Sequence, residues 1–264
     1  MAIPFPMINP VAVQIGPIAI HWYALAYIAG IFGGWKYAAH IIRRHNIAIT
    51  KDQLDDALFW AAMGIIFGGR LGYVLFYKPD YYWQHPMEIL QLWNGGMSFH
   101  GGFLGVVIAL IAFCRYHRLS FWKMIDVAAC VTPIGLLLGR LANFINGELY
   151  GRVTDVSWAM VFPRGGDLPR HPSQLYEAFG EGVVMFAVFY ILQKHTAMLK
   201  HPSMAAGLFL WMYGTIRFLV EFAREPDDFL GLLQFGLSMG QWLCVPMILG
   251  GMFVMIRAGR KPHA

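Results

Sequence analysis

Apolar runs long enough to cross a bilayer recur along this chain, separated by short polar stretches. A spanning helix needs about 20 mostly apolar residues. Seven windows fit, at roughly 18–41, 57–77, 97–115, 123–143, 173–193, 203–223 and 239–257. Inside lipid, backbone groups must bond within their own segment, so each window is predicted to be a helix. The expected fold class is an all-α polytopic membrane protein with seven transmembrane helices, a small external cap and membrane-surface arms. Residues 1–264 then make a single integral membrane domain. Residues 1–17, punctuated by Pro4, Pro6, Pro10 and Pro17, are predicted to be an external N-terminal arm. Residues 78–96 carry Tyr81, Tyr82, Trp83 and Trp93. Such rings favour the headgroup layer, which predicts a second external arm on the membrane surface. Residues 144–172 are polar with Gly and Pro turns and are predicted to be the cap. Glycines four apart (Gly64, Gly68 and Gly72; Gly101 and Gly105; Gly135 and Gly139) predict close helix approach.

Composition supports this picture. The chain is 58% hydrophobic and 13% charged, against about 25% charged in soluble domains, and its mean hydropathy is +0.51. A large soluble enzyme would need more polar surface. No basic patch with interleaved aromatics occurs, so a nucleic-acid partner is not expected. Cys114, Cys130 and Cys244 sit in apolar runs without a C-x-x-C pair and read as small buried hydrophobes. No Lys or Arg precedes Lys36, so a cleavable signal peptide is not expected. The loop basic residues divide unequally. Eleven fall on one side: Arg43, Arg44, Lys51, Arg115, Arg118, Lys123, Lys194, Lys200, Arg257, Arg260 and Lys261. Five fall on the other: Lys78, Arg152, Arg164, Arg170 and Arg224. The richer side is predicted to be cytoplasmic, with the N-terminus outside and the C-terminus inside.

With that orientation, costly polar groups gather at one external-side depth. Arg140 and Asn143 lie near the outer end of the fourth window. Tyr213, Arg217 and Glu221 lie in the outer half of the sixth, and Arg70 in that of the second. His100, Tyr176 and Glu177 start the third and fifth, and Tyr23 starts the first. Structural pairing is the competing explanation, since Arg217 and Glu221 are i, i+4 neighbours. Two arginines suit an anionic headgroup, because a guanidinium fork binds phosphate oxygens bidentately. Asn143, Asn146 and Tyr23 suit glycerol hydroxyls or ester carbonyls, and Glu148 and Glu221 are expected to steady the arginines. His100 begins a helix beside Gly101 and Gly102; it suits either proton removal near neutral pH or a structural hydrogen bond. No ligand spacing around it suggests a metal. Ser173 is expected to cap the fifth helix or touch headgroups. Glu177 and Glu181, at i, i+4, imply that one is protonated or paired.

The run Gly139-Arg140-Leu141-Ala142-Asn143-Phe144-Ile145-Asn146-Gly147-Glu148-Leu149-Tyr150-Gly151 resembles the signature of prolipoprotein diacylglyceryl transferases. Four further blocks resemble that family in the same order. They are Gly68-Gly69-Arg70-Leu71-Gly72-Tyr73, the stretch Gly95 to Gly102, the stretch Arg170 to Glu177, and the stretch Tyr213 to Phe222. The resemblance implies transfer of a diacylglyceryl group from phosphatidylglycerol to the lipobox cysteine of a prolipoprotein signal peptide. It also implies a bacterial inner (cytoplasmic) membrane setting with an active site facing the periplasm, and neither metal nor dissociable cofactor. His100, Arg140 and Arg217 match the family's critical histidine and arginines. Tyr23, Asn143, Glu148, Gly151 and Glu221 match other positions of importance. Arg70, Asn146 and Tyr213 complete the expected substrate contacts. The alternative is a lipid or anion transporter with an external-side arginine site, although transport sites favour the midplane and repeated helices. A non-enzymatic scaffold explains the glycines but not the gathered polar groups.

Overall fold

A computed structural model describes residues 3–225 and 233–260. Met1 and Ala2 of the N-terminal arm, and Lys261 of the basic count, lie outside the described residues. In chain order the strands and helices are β1 (Ile3–Pro4), β2 (Val11–Ile15), β3 (Ile18–His21), α1 (Trp22–Arg44), α2 (Lys51–Phe76), α3 (Pro79–Gln84), α4 (Phe99–Tyr116), α5 (Phe121–Ile145), β4 (Met160–Val161), α6 (Ser173–Glu177), α7 (Met185–His195), α8 (Met204–Val220) and α9 (Met239–Arg260). A π-helical stretch, Ala178–Val184, joins α6 to α7. The chain forms two compact units, one of Met1–Ile41 with Ile125–Ala264 and one of Ile42–Met124.

Every predicted window overlaps a helix. Five helical stretches among the described residues are long and apolar enough to cross a membrane: Lys51–Phe76, Phe99–Tyr116, Phe121–Ile145, Ser173–His195 and Met239–Arg260. α8 is apolar but shorter. The all-α expectation needs correcting at its edges, where short strands occur. β2 and β3 form an antiparallel hairpin, so the first helix begins at Trp22 rather than near residue 18. The second begins earlier than expected, at Lys51, because Thr50 and Gln53 make a reciprocal capping box. Pro133 and Pro246 lie inside α5 and α9.

Within the unit of residues 42–124, glycine sets the packing of α2 on α4. A Cβ on Gly64 would lie 2.6 Å from the Gly105 carbonyl oxygen, and one on Gly105 would strike the Gly64 carbonyl. Gly68 and Gly101 face each other in the same way. Side chains there would force the backbones apart. Gly135 also marks a close approach, since a Cβ on Gly30 of α1 would lie 3.3 Å from the Gly135 Cα; the expectation fails at Gly139, beside which a Cβ would meet nothing within 4 Å. Residues 78–96 form α3 and two short 3-10 turns, with Trp83 and Trp93 exposed.

Within the other unit, residues 144–172 build a narrow sheet of very short pairings. β1 lies parallel to β4. Met160 bridges Arg170, Val153 bridges Arg170, and Gly151 bridges Arg224. A Cβ on Gly151 would meet the Ala223 carbonyl and lie 2.8 Å from the His171 Cβ, so this position needs glycine. Phe5, Phe144 and Phe162 pack beneath the sheet, with ring centroids 5.2–6.3 Å apart. Phe162 is fully buried.

Candidate functional site

Arg140 lies in the last part of α5, Arg217 in the last turn of α8 and Arg224 just beyond it. All three reach one carboxylate. Glu177, at the end of α6, is wholly buried. Its Oε2 lies 3.2 Å from Arg140 Nε, and its Oε1 pairs with Arg217 Nη1 and, at 2.8 Å, with Arg224 Nη1. Glu221 adds a second carboxylate, 3.1 Å from Arg217 Nη2 and 3.5 Å from Arg224 Nε. Glu181 lies 3.4 Å from Arg140 Nη2. A buried carboxylate is tolerable only with such partners, because desolvation penalises an unpaired charge.

Local structure explains the convergence. Gly180 and Gly182 let the π-helical stretch sit close to its neighbours. A Cβ at Gly180 would lie 2.5 Å from Ile216 of α8, and one at Gly182 would lie 2.6 Å from Leu137 of α5. Glu177 and Glu181 therefore face α5 and α8 together, and a π stretch inside a helix often marks a functional position. α9 contributes from its start. Ser238 and Gln241 exchange main-chain and side-chain hydrogen bonds of 3.0 and 3.2 Å. Ser238 Oγ then donates to Glu221 Oε1 at 3.0 Å, fixing the partner of Arg217.

Beside the arginines, the end of α5 turns through Gly147 and Leu149, both at positive φ. Asn143 and Asn146 each donate to Glu148 Oε1, at 2.9 and 3.2 Å. Gln174 donates to the Glu148 carbonyl at 2.6 Å. Tyr23 lies within electrostatic range of Glu148 and Arg140, and its hydroxyl is 3.1 Å from that of Tyr27. Tyr213 is within range of Glu181, Arg217 and Arg140. His171 Nδ1 is 3.1 Å from the Tyr176 hydroxyl, which accepts from Trp158 Nε1 at 2.6 Å. Partial burial pushes the His171 imidazole below its usual range.

One unit thus gathers Arg140, Arg217, Glu221, Tyr213, Tyr23, Asn143, Asn146, Glu148 and Gly151. His100 and Arg70 belong to the other unit. His100 is exposed beside the Phe99 ring. Arg70 is buried, and its guanidinium donates to the carbonyls of Glu88, Ile89, Gly95 and Gly96. Its cation also lies 5.1 Å from the Tyr82 ring centroid. This arginine ties residues 82–96 to α2.

Two expectations change. Ser173 neither caps its helix nor reaches a surface; it is fully buried and donates to the Leu149 carbonyl at 3.0 Å. Glu148 steadies asparagines, whereas Glu177 and Glu181 hold Arg140. The i, i+4 spacing of the two acids implies pairing or protonation without naming the partner, and the sequence places Arg224 in an external loop rather than at the site, whereas it pairs with Glu177. Two acids a turn apart in an apolar window signal a cationic partner from another helix. Among the described residues, no group of three or more His, Cys, Asp or Glu side chains is placed to hold a metal.

The prolipoprotein diacylglyceryl transferase family model matches residues 10–257. A phosphatidylglycerol–prolipoprotein diacylglyceryl transferase of Rhodospirillum rubrum is 54% identical, covering 100% of this chain and 97% of its own. Proteins of the same name from Paramagnetospirillum magneticum and Bordetella parapertussis are 53% and 52% identical, each covering 98% of this chain and 97% and 98% of their own. The chain belongs to the prolipoprotein diacylglyceryl transferase family.

Proposed function

We infer that this protein transfers the diacylglyceryl group of phosphatidylglycerol to the lipobox cysteine thiol of a prolipoprotein. The observation that carries the reading is the meeting of Arg140 and Arg217 on buried carboxylates, in a chain of this family. The chain acts as one integral membrane domain over residues 1–264, crossing seven times, with α1 and α8 as spans beside the five more apolar stretches. Segments 1–17 and 78–96 are external arms, and 144–172 is an external cap. The protein resides in the bacterial inner membrane, its N-terminus and site on the periplasmic side and its C-terminus in the cytoplasm. The basic last turns of α1, α4, α7 and α9 support that orientation.

Arg140 and Arg217 bind the phosphate of the donor. Their guanidinium planes are held by Glu177, so little rearrangement is needed when charge develops. Tyr23, Asn143, Asn146, Glu148, Tyr213 and Glu221 line or brace this headgroup site. Gly151 lets the cap close on the segment that follows α8, and Arg70 holds the 78–96 arm. His100 accepts the thiol proton, since an ordinary thiol is only a few per cent thiolate at pH 7. The sulfur then attacks the glyceryl carbon bonded to the phosphate ester oxygen. A carbon–sulfur bond forms, the carbon–oxygen bond breaks, and its electron pair leaves with glycerol phosphate. The arginines stabilise that leaving anion, and no metal or dissociable cofactor takes part.

His100→Asn tests the proton transfer. Turnover of a lipobox peptide is expected to fall about a hundredfold or more. An unchanged rate would remove His100 from proton transfer.

A further inference from the structure

We propose that Glu181 is a displaceable counter-ion, which holds Arg140 in place until an anionic headgroup takes its position, while Glu177 is the permanent anchor. The proposal rests on the reading of Arg140 as a headgroup ligand.

The two carboxylates are held very differently. Glu177 pairs with Arg140, Arg217 and Arg224. Glu181 makes one contact, 3.4 Å from the terminal Nη2 of Arg140. Its other oxygen, Oε1, is buried without a hydrogen-bond partner among the described residues. A buried carboxylate so weakly satisfied has little to lose by moving or taking a proton. The arginine it touches is within reach, since the Arg140 side chain is 18% exposed. Gly180 and Gly182 seat the backbone around Glu181 close against Ile216 and Leu137. The side chain is the movable part.

Charge counting gives the same answer independently. Arg140, Arg217 and Arg224 face Glu177, Glu181 and Glu221, three cations against three carboxylates. A bound phosphodiester brings a fourth negative charge. An excess anion in a partly dehydrated site is unfavourable, so one carboxylate must leave or become neutral. Of the three, Glu181 loses least. The groups facing it are Arg140 on α5, Arg217 and Tyr213 on α8, Glu177 on its own helix and Cys244 on α9. Protonation of Glu181 leaves Arg140 available to phosphate.

The test uses the purified full-length protein in nanodiscs with varied phosphatidylglycerol in a neutral phosphatidylcholine background. Diacylglyceryl transfer to a lipobox peptide is followed by mass spectrometry. Glu181→Gln is expected to lower the KM for phosphatidylglycerol by about threefold to tenfold, the equivalent of one charged contact removed from competition. In the wild type that KM falls as pH is lowered, and the dependence disappears in Glu181→Gln. Glu177→Gln moves the other way, losing kcat. A KM for Glu181→Gln equal to or above wild type, or an undiminished pH dependence, overturns the proposal. Glu181→Asp draws the carboxylate back by one methylene; it is expected to lower KM in the same direction, and a raised KM counts against the proposal even if the glutamine variant fails to fold. A wild-type protein that makes no thioether product refutes the functional reading itself, separately from the role of Glu181.

Discussion

At the scale of single residues, the site depends on Glu177. Its carboxylate is the common partner of three arginines, and removing its charge leaves them to repel one another in a poorly hydrated site. Breaking a buried pair of this kind costs about 3–5 kcal/mol. Glu177→Gln is therefore expected to reduce turnover by about two decades and to lower thermal stability. Both are read from lipidation rate and unfolding temperature of the same preparation. Unchanged turnover would show that the arginines do not need this anchor. His171 supplies a pH prediction. Partial burial disfavours its charged form, so its pKa lies below the usual value of about 6.5. The unfolded chain then binds more protons in the window just below 6.5. The contribution of His171 is fully present above that value and is lost as pH falls through the lowered pKa. Unfolding temperature is expected to drop on acidification through this window, and His171→Gln is expected to reduce the drop.

At the scale of elements, the apolar windows were legible because each satisfies its backbone internally and exposes a lipid-like surface. Their ends were less so. The start of α1 was misplaced because Ile18–His21 joins a hairpin whose residues are as apolar as the helix that follows. The start of α2 was missed because its first turn is polar and is fixed by capping rather than burial. The glycine pattern holds where two helices face each other, at Gly64, Gly68, Gly101 and Gly105 and at Gly135 beside Gly30 of α1, and not at Gly139. This yields a paired prediction. Gly105→Ala puts a Cβ against the Gly64 carbonyl and is expected to destabilise by about 1–3 kcal/mol. Gly135→Ala, also within a helix, meets open space and is expected to be neutral or stabilising by up to about 1 kcal/mol. Thermal unfolding of the two variants distinguishes them, and an equal response would contradict the packing described here.

At the scale of the whole molecule, the gathering of Arg140 and Arg217 was legible through their matching depth along the fourth and sixth windows, which run in the same direction. Their counter-ions were not, because pairing across helices depends on rotation about each helix axis. The π stretch at Ala178–Val184 sets that rotation for Glu181, and composition carries no sign of it. Arg70 shows the converse. Its depth matched the other arginines, but its donors are taken by carbonyls of its own unit. The arginine cluster is proposed to perform diacylglyceryl transfer. That role is tested most directly by giving purified wild-type and Arg140→Ala proteins phosphatidylglycerol and a lipobox peptide, and weighing the product. The wild type is expected to yield a thioether-linked diacylglyceryl peptide, and Arg140→Ala to make it about a hundredfold more slowly. Near-full turnover by a folded Arg140→Ala protein would contradict the account.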